Sequence, residues 1–331
     1  MLHRDELALA VTEAMRDRCG VAAGDRILIA VSGGADSVTL LRTLAAIRDR
    51  REWLLDLHVI HVNHQLRCEA GIDAQFTAEL CEQLNVPCHP RVIDPRSAGG
   101  NLESASRKLR HAEFQAVADE IDADWIATAH HADDQLETLL MRIIRGSSLR
   151  GMRGIVWRRG RVIRPMLRVD RAAIIAFLNR LGQAWREDAT NRDPRQWRAW
   201  LRQRVLPELR KLRADAAMKA TDTAERLGEA AAALDQAERR LEHRLVRYED
   251  QQLASMDRAS AARLSAESIG GLLRRVALRF GADSDAMGLR VIEPMVKAIA
   301  DGQGQRRHFE LAGGVSVEIS ADRVAWRKAS G

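Results

Sequence analysis

Hydrophobic positions change period repeatedly along this chain, and the changes predict strands alternating with helices. Leu7, Val11, Ala14 and Met15 recur at helical spacing. Ile27-Leu28-Ile29-Ala30-Val31 is a continuous apolar run, as in a strand buried on both faces. Two glycines follow, and Val38, Leu40, Leu41 and Leu44 then share one side of a helix that runs to about Arg50. The alternation continues with a strand over 56–62, a helix over 71–85, a strand over 88–93 and a helix that Asn101 caps and Leu102 opens. A strand over 125–129 precedes a helix carrying Leu136, Leu139, Leu140, Ile143 and Ile144, stopped at Gly146. Val162–Leu167 reads as a short strand broken by Pro165, and 170–181 as a helix. Strand and helix in regular turn predict an α/β fold with a doubly wound, parallel sheet.

Beyond Trp185 the pattern changes. Residues 185–194 are a loop by composition. Arg195 to Arg213 is studded with arginine and carries Trp197 and Trp200. Basic residues interleaved with aromatics suit RNA, although either tryptophan alone reads as core. Residues 214–250 are rich in Ala, Glu and Arg without proline, which predicts one long connecting helix. A short strand and helices over 259–280 and 288–301 follow, and then strands over 305–328 around turns at 312–314 and 321–322. The expected organisation is a catalytic domain over 1–213, a connecting helix over 214–250 and a small α/β domain over 251–331.

Length and charge fit this division. The 331 residues suffice for about two cores. Net charge is +6, and only five of the 52 basic residues are lysine, an arginine surplus suited to phosphate. No apolar run approaches the roughly 18 residues of a membrane span, and the first residues lack a signal-peptide core. The expected setting is cytoplasmic, with no membrane partner. Cys19, Cys68, Cys81 and Cys88 form no C-x-x-C pair and read as ordinary thiols.

The candidate chemistry sits where strands end. Ser32-Gly33-Gly34-Ala35-Asp36-Ser37 joins the first buried strand to a helix. First-turn amides lack internal partners, and with the helix dipole they make an anion site. Gly33 and Gly34 let an oxyanion approach the backbone, and Ser32 and Ser37 add hydroxyls. No lysine follows the glycines, so this is not the common nucleotide loop. Asp36 reads either as a helix-capping acid or as a ligand for Mg²⁺ bridging to phosphate. Asn63 and His64, past the second strand, are placed to meet a base or phosphates, or to form a polar turn. Glu103, Arg107 and Arg110 share a helix face, either solvated or aimed at phosphate. His130-His131-Ala132-Asp133-Asp134-Gln135-Leu136-Glu137 is a second polar cluster past a strand end. Its adjacent histidines point apart and lack zinc spacing, so it reads as a hydrogen-bonding and Mg²⁺-organising cluster.

The loop at 32–37 resembles that of the N-type ATP pyrophosphatases. Four stretches together, at 32–37, 61–67, 103–110 and 127–146, resemble the tRNA(Ile)-lysidine synthetase family. R-P-M-L at 164–167 and E-D-A-T-N-R-D at 187–193 stand in the same order as in that family. The resemblance implies an adenine nucleotide alpha hydrolase-like catalytic domain and a C-terminal tRNA-binding domain. It implies ligation of L-lysine to the wobble cytidine of the CAU-anticodon tRNA(Ile), through an adenylated cytosine, with ATP giving AMP and pyrophosphate. ATP and Mg²⁺ are the implied cofactors, and a homodimer is left open. Ser32, Gly33, Gly34, Ala35, Asp36, Ser37, His61, Asn63, His64 and Arg67 are expected to bind the nucleotide, and Mg²⁺ offsetting charge on the leaving pyrophosphate is expected on Asp36 and Asp134. Arg107, Arg110, Arg142, Arg145 and Arg202 would bind substrate. Asp36, His130, Asp133, Asp134 and Glu137 are the catalytic candidates, and the choice of proton acceptor among them stays open. Two positions depart from the family pattern: Ala199 stands where Asn is usual and His111 where Tyr is usual. The alternatives are a tRNA thiolase sharing the loop, which would need a sulfur donor, and a basic RNA-binding module with a degenerate nucleotide site.

Overall fold

The computed structural model describes residues 5–63, 70–98, 102–186, 197–283, 287–301 and 306–329. The chain divides into two compact units, Met1–Gly228 and Glu229–Gly331.

The first unit is built on a six-stranded sheet: β1 (Arg26–Ala30), β2 (Asp56–Asn63), β3 (Cys88–Val92), β4 (Trp125–Ala127), β5 (Arg158–Arg159) and β6 (Val162–Ile163). Their order is β3-β2-β1-β4-β6-β5. All neighbours are parallel except β5 and β6. Helices α1 (Glu6–Ala14), α2 (Ala35–Ile47), α3 (Ala70–Gln83), α4 (Leu102–Glu120), α5 (Ala132–Arg145), α6 (Leu149–Met152) and α7 (Arg171–Arg180) complete the alternation. The central β1 is apolar throughout because both its faces are covered. Ile27 and Ile29 pack in one cluster with Val11, Leu41 and Phe177. Leu28 faces the other way, into Phe114, Val117, Ile60 and Ile126. Each such buried side chain contributes on the order of 1.5–3 kcal/mol. The strand order reverses at β1, whose neighbours are β2 on one side and β4 on the other. Ligand crevices in open α/β sheets form outside the carboxyl ends of strands at such a reversal.

Some boundaries differ from the periodicity. The fourth strand stops at Ala127, and the sixth holds only Val162–Ile163. The antiparallel partner Arg158–Arg159 was not expected, because two residues are too few to show a period. After α7, the short α8 (Trp197–Trp200) runs through a π-helical turn at Leu201–Val205 into α9 (Leu206–Leu212).

The long helix α10 (Ala216–Leu245) is shorter than the 214–250 expected and runs through the division between units. Pairing of β7 (Arg247–Tyr248) with β8 (Leu253–Asp257) takes the following residues out of the helix. The second unit carries a small antiparallel sheet ordered β7-β8-β11-β10-β9, with β9 Arg307–Leu311, β10 Val315–Ile319 and β11 Arg323–Lys328. The single helix expected over 259–280 is two, α11 (Arg258–Ala262) and α12 (Ala266–Arg279). Ser265 separates them, its hydroxyl capping the amide of Ser268 at 3.2 Å. With α13 (Leu289–Ala300) they bury Val276, Met295 and Trp326 in one core. The buried Arg258 guanidinium donates to the carbonyls of Ala298, Ile299 and Ser320, so this internal cation is a satisfied structural group. Among the described residues no helix is long and apolar enough to cross a membrane.

Candidate active site

The loop after β1 closes on itself. The Ser37 hydroxyl donates to the Gly34 carbonyl at 2.9 Å and accepts from the Ser32 amide at 3.1 Å. Gly33 has φ +85°, a left-handed turn that favours glycine. The Arg186 amide donates to the Gly33 carbonyl at 2.9 Å, and the Arg186 side chain is anchored on Asp73 at 2.9 Å. The loop is therefore fastened from two distant segments. Gly34 caps α2 with no side-chain bond, so Asp36 is not the capping acid that one reading of the sequence allowed. Its carboxylate instead accepts from Arg171 at 2.6 Å. His61 is buried behind the loop, with Nδ1 2.9 Å from the Val31 carbonyl and 3.3 Å from the Thr77 hydroxyl. Burial lowers its pKa, so it supports the strand end as a neutral ring. Asn63 closes β2, its carbonyl taking the Ile93 amide at 2.9 Å. His64, Arg67, Cys68, Asn101, the Glu103 side chain and 187–196 lie outside the described residues.

The second cluster opens α5, beside the loop. His131 is the N-cap, and its amide donates to Asp134 Oδ2 at 3.0 Å in a capping box. His131 Nε2 lies 3.6 Å from both Asp36 Oδ2 and Asp134 Oδ2, and Nδ1 lies 3.7 Å from Asp133 Oδ2. Burial alone would lower its pKa, but Asp134, Asp36 and Asp133 outweigh burial and raise it to about 9. The 3.3 Å cap bond from the Asp133 amide requires an unprotonated Nδ1. That long bond is weaker than the pull of three carboxylates, so the imidazolium form prevails. His130 points elsewhere, its Nδ1 3.0 Å from the Thr128 hydroxyl. Burial, reinforced by Arg164, Arg107 and Arg110 and opposed by Asp134, pushes its pKa down to about 4. Of two adjacent histidines, His131 is thus the cation and His130 the neutral ring at neutral pH.

Each acid of the cluster is tied to an arginine from far along the chain. Arg202 donates to Asp134 Oδ1 at 2.7 Å and to Glu137. Burial works against the Asp134 carboxylate, but His131, His130 and Arg202 hold its pKa well below the usual range. Burial pushes Glu137 up, while Arg202 is pushed above its ordinary value by Glu137 and Asp134. The direct bond from Arg202 Nε favours Glu137 as a carboxylate against that burial. Asp133 is buried and pairs with Arg210 at 2.6 Å, while its Oδ1 has no hydrogen-bond partner among the described residues. Beside these acids lies a group of like charges. Burial and the neighbouring Arg107 and Arg198 lower Arg110, and burial with Arg107 and Arg159 lowers Arg164. Cations that depress one another mark a place suited to an anion.

The structure thus brings together Ser32–Ser37, His130, Asp133, Asp134, Glu137, Arg107, Arg110 and Arg202. It does not bring Arg142 and Arg145 there. They stand at the far end of α5, about 12–16 Å along its axis. Arg142 donates to the carbonyls of Gly151 and Gly154, and Arg145 is exposed. The sequence reading placed His131 in the polar cluster without making it a catalytic candidate, and it passed over Arg171 and Arg210. The charge on His131 had no local signal, because histidine is not a preferred cap residue, and the two arginines had none either. Asp36 and Asp134 supply the hard oxygen donors that Mg²⁺ takes alongside phosphate oxygens, and the point both carboxylates approach is held by His131 Nε2. No group of three or more His, Cys, Asp or Glu among the described residues is arranged to hold a metal.

The PP-loop domain family matches residues 6–209, well over half of the chain. The chain belongs to the PP-loop family. That stretch holds the whole cluster up to Arg202. Curated relatives include the tRNA(Ile)-lysidine synthase of Deinococcus radiodurans, 46% identical over 190 residues, 56% of this chain and 31% of that one. The tRNA(Ile)-lysidine synthase of Deinococcus deserti is 34% identical over 305 residues, 90% of this chain and 52% of that one. The chain spans about half or less of the length of these relatives. Among solved structures, the U34-tRNA thiolase NcsA from Methanococcus maripaludis, with its [4Fe-4S] cluster, aligns with TM-score 0.56 and 18% identity. It covers 68% of this chain and 78% of its own, a likeness of fold alone.

Proposed function

We propose that this PP-loop protein ligates lysine to the wobble cytidine of the CAU-anticodon tRNA(Ile), converting ATP to AMP and pyrophosphate. The observation that carries this reading is the 34% identity with a tRNA(Ile)-lysidine synthase across 90% of the chain, both units included. The chemistry takes two steps. Cytosine O2 attacks the α-phosphorus of ATP; the O2–P bond forms and the bond to pyrophosphate breaks. The lysine ε-amine then attacks C2; the N–C2 bond forms, and the C2–O2 bond breaks as AMP leaves with that oxygen.

The residues fit these needs. The first-turn amides of α2 would hold the pyrophosphate. Mg²⁺ bound by Asp36 and Asp134 would supply positive charge against the phosphates. Arg107 and Arg110 would orient phosphate or the RNA backbone. Arg202 holds Asp134 and Glu137 ionised and in place, and those carboxylates would attract the lysine ammonium. The amine must shed a proton to attack, and neutral His130, with the ionised carboxylates, is a candidate acceptor. The 251–331 region is proposed to bind tRNA, and the cytoplasm is the proposed compartment.

The test is radiolabelled lysine, ATP and Mg²⁺ with a CAU-anticodon tRNA(Ile) transcript, against initiator tRNA(Met) as control. Label entering the isoleucine transcript alone is expected. AMP without label would redirect the reading to another nucleophile, such as the sulfur of a thiolase.

A further inference from the structure

Trp197 and Trp200 are 55% and 45% exposed, on a helix that buries its neighbours Ala199 and Leu201. Spacing of three places both indoles on one face of α8. Two large aromatics left in water along one face are unusual for a chain able to bury them. The same helical run carries Arg202, which reaches Asp134 and Glu137. Arg198, between the indoles in sequence, stands near enough to Arg110 and Glu137 to bias both. Arg198 and Arg202 reach the site from the same short run, so the indoles stand within about two helical turns of the residue that organises it.

We propose that Trp197 and Trp200 form a stacking platform for the unpaired nucleotides flanking the reacting base of an RNA loop. This rests on the reading that an RNA loop is the substrate. A base that enters the cluster must leave its own stack, and its neighbours lose a stacking partner. Indole faces restore that partner without regard to base identity, while the arginines hold the backbone. Charge complementarity favours RNA here over an apolar protein surface, because the run that carries the indoles also carries Arg198, Arg202 and Arg204.

The test uses the full chain and fluorescence anisotropy. One probe is a labelled RNA hairpin bearing the CAU anticodon loop, and the other is a duplex of equal charge. W197A/W200A is expected to weaken hairpin binding roughly 10–100-fold. Duplex binding should stay within about twofold, because it rests on phosphate contacts. W197F/W200F should restore most of the hairpin affinity. Equal losses on both probes, or no loss on the hairpin, would overturn the platform. So would a change in oligomeric mass with hairpin affinity intact, which would assign the indoles to self-association. Should the alanine variant not fold, cross-linking of the wild type to a hairpin with 5-iodouridine in the loop decides. Adducts at 197–200 support the platform, and adducts only elsewhere sink it. Lysine incorporation by the wild type fails or succeeds separately, so a hairpin preference without lysine transfer would reject the reaction and keep the platform.

Discussion

At the scale of single residues, the site sorts charge by position. His131, caught between Asp36, Asp134 and Asp133, is a cation, and His130, beside Arg107, Arg110 and Arg164, is neutral. Stability should follow both. The raised pKa of His131 contributes stability that is full below about pH 6.5 and lost as pH rises through about 9, at most about 3 kcal/mol. The lowered pKa of His130 works on the other side, its share being lost as pH falls from about 6.5 through about 4. Urea titrations in EDTA across this range should show a single maximum near pH 6.5, and His131→Asn should flatten its alkaline arm. Asp36 is held by Arg171 at the mouth of the loop. Asp36→Ala should abolish tRNA-dependent AMP formation while circular dichroism stays unchanged; AMP released at the wild-type rate would remove Asp36 from the chemistry.

At the scale of elements, α5 is pinned at both ends. Gln135 clamps the 146–155 segment, donating to the Ile155 carbonyl at 2.8 Å and accepting its amide at 2.6 Å. Gly154 has φ +65°, and a Cβ there would stand 2.2 Å from Gln135 Oε1. Gly154→Ala should therefore cost about 2–4 kcal/mol, from backbone strain and broken buried bonds, read as a lower urea midpoint. The π-helical turn after α8 brings Arg202 onto α5. Arg202→Ala leaves Glu137 buried without its cation and should destabilise the fold by roughly 2–4 kcal/mol. It should also lower lysine incorporation more than it lowers ATP binding, if Glu137 and Asp134 meet the amine. These couplings were hidden from local sequence: Arg202 was expected to bind substrate, and only the folded chain shows it holding Glu137 and Asp134, as Gln135 holds Ile155.

At the scale of the whole molecule, the loop, the cluster and their arginines all belong to the first unit. ATP should stabilise that unit alone. Calorimetry with nucleotide at about 100 times its Kd should raise the first unit's transition by the equivalent of about 2.7 kcal/mol and leave the second where it was. A shift of both transitions by the same amount would show that the units melt together. The second unit holds its own core around Trp326 and its own satisfied internal cation, Arg258, as a separately folding body requires.

The sequence alone determined the alternation of strands and helices, the parallel sheet and the two polar clusters at strand ends. These follow from local causes: apolar period, β-branched runs, glycine turns and caps act over a few residues. It also marked Ser32–Ser37 and Asp133–Glu137 as the chemistry-bearing stretches, because residues just past strand ends in an open α/β sheet stand where ligands bind. Tertiary structure decided what each of them touches. Arg171 is 135 residues from Asp36, and Arg202 is 68 from Asp134. No period or spacing links such pairs; only the folded sheet brings them within bonding distance. The same holds for which histidine carries charge, for the two-residue hairpin of β5 and β6, and for the exposure of Trp197 and Trp200. Charge state and burial depend on neighbours in space, and those neighbours exist only once the sheet has closed.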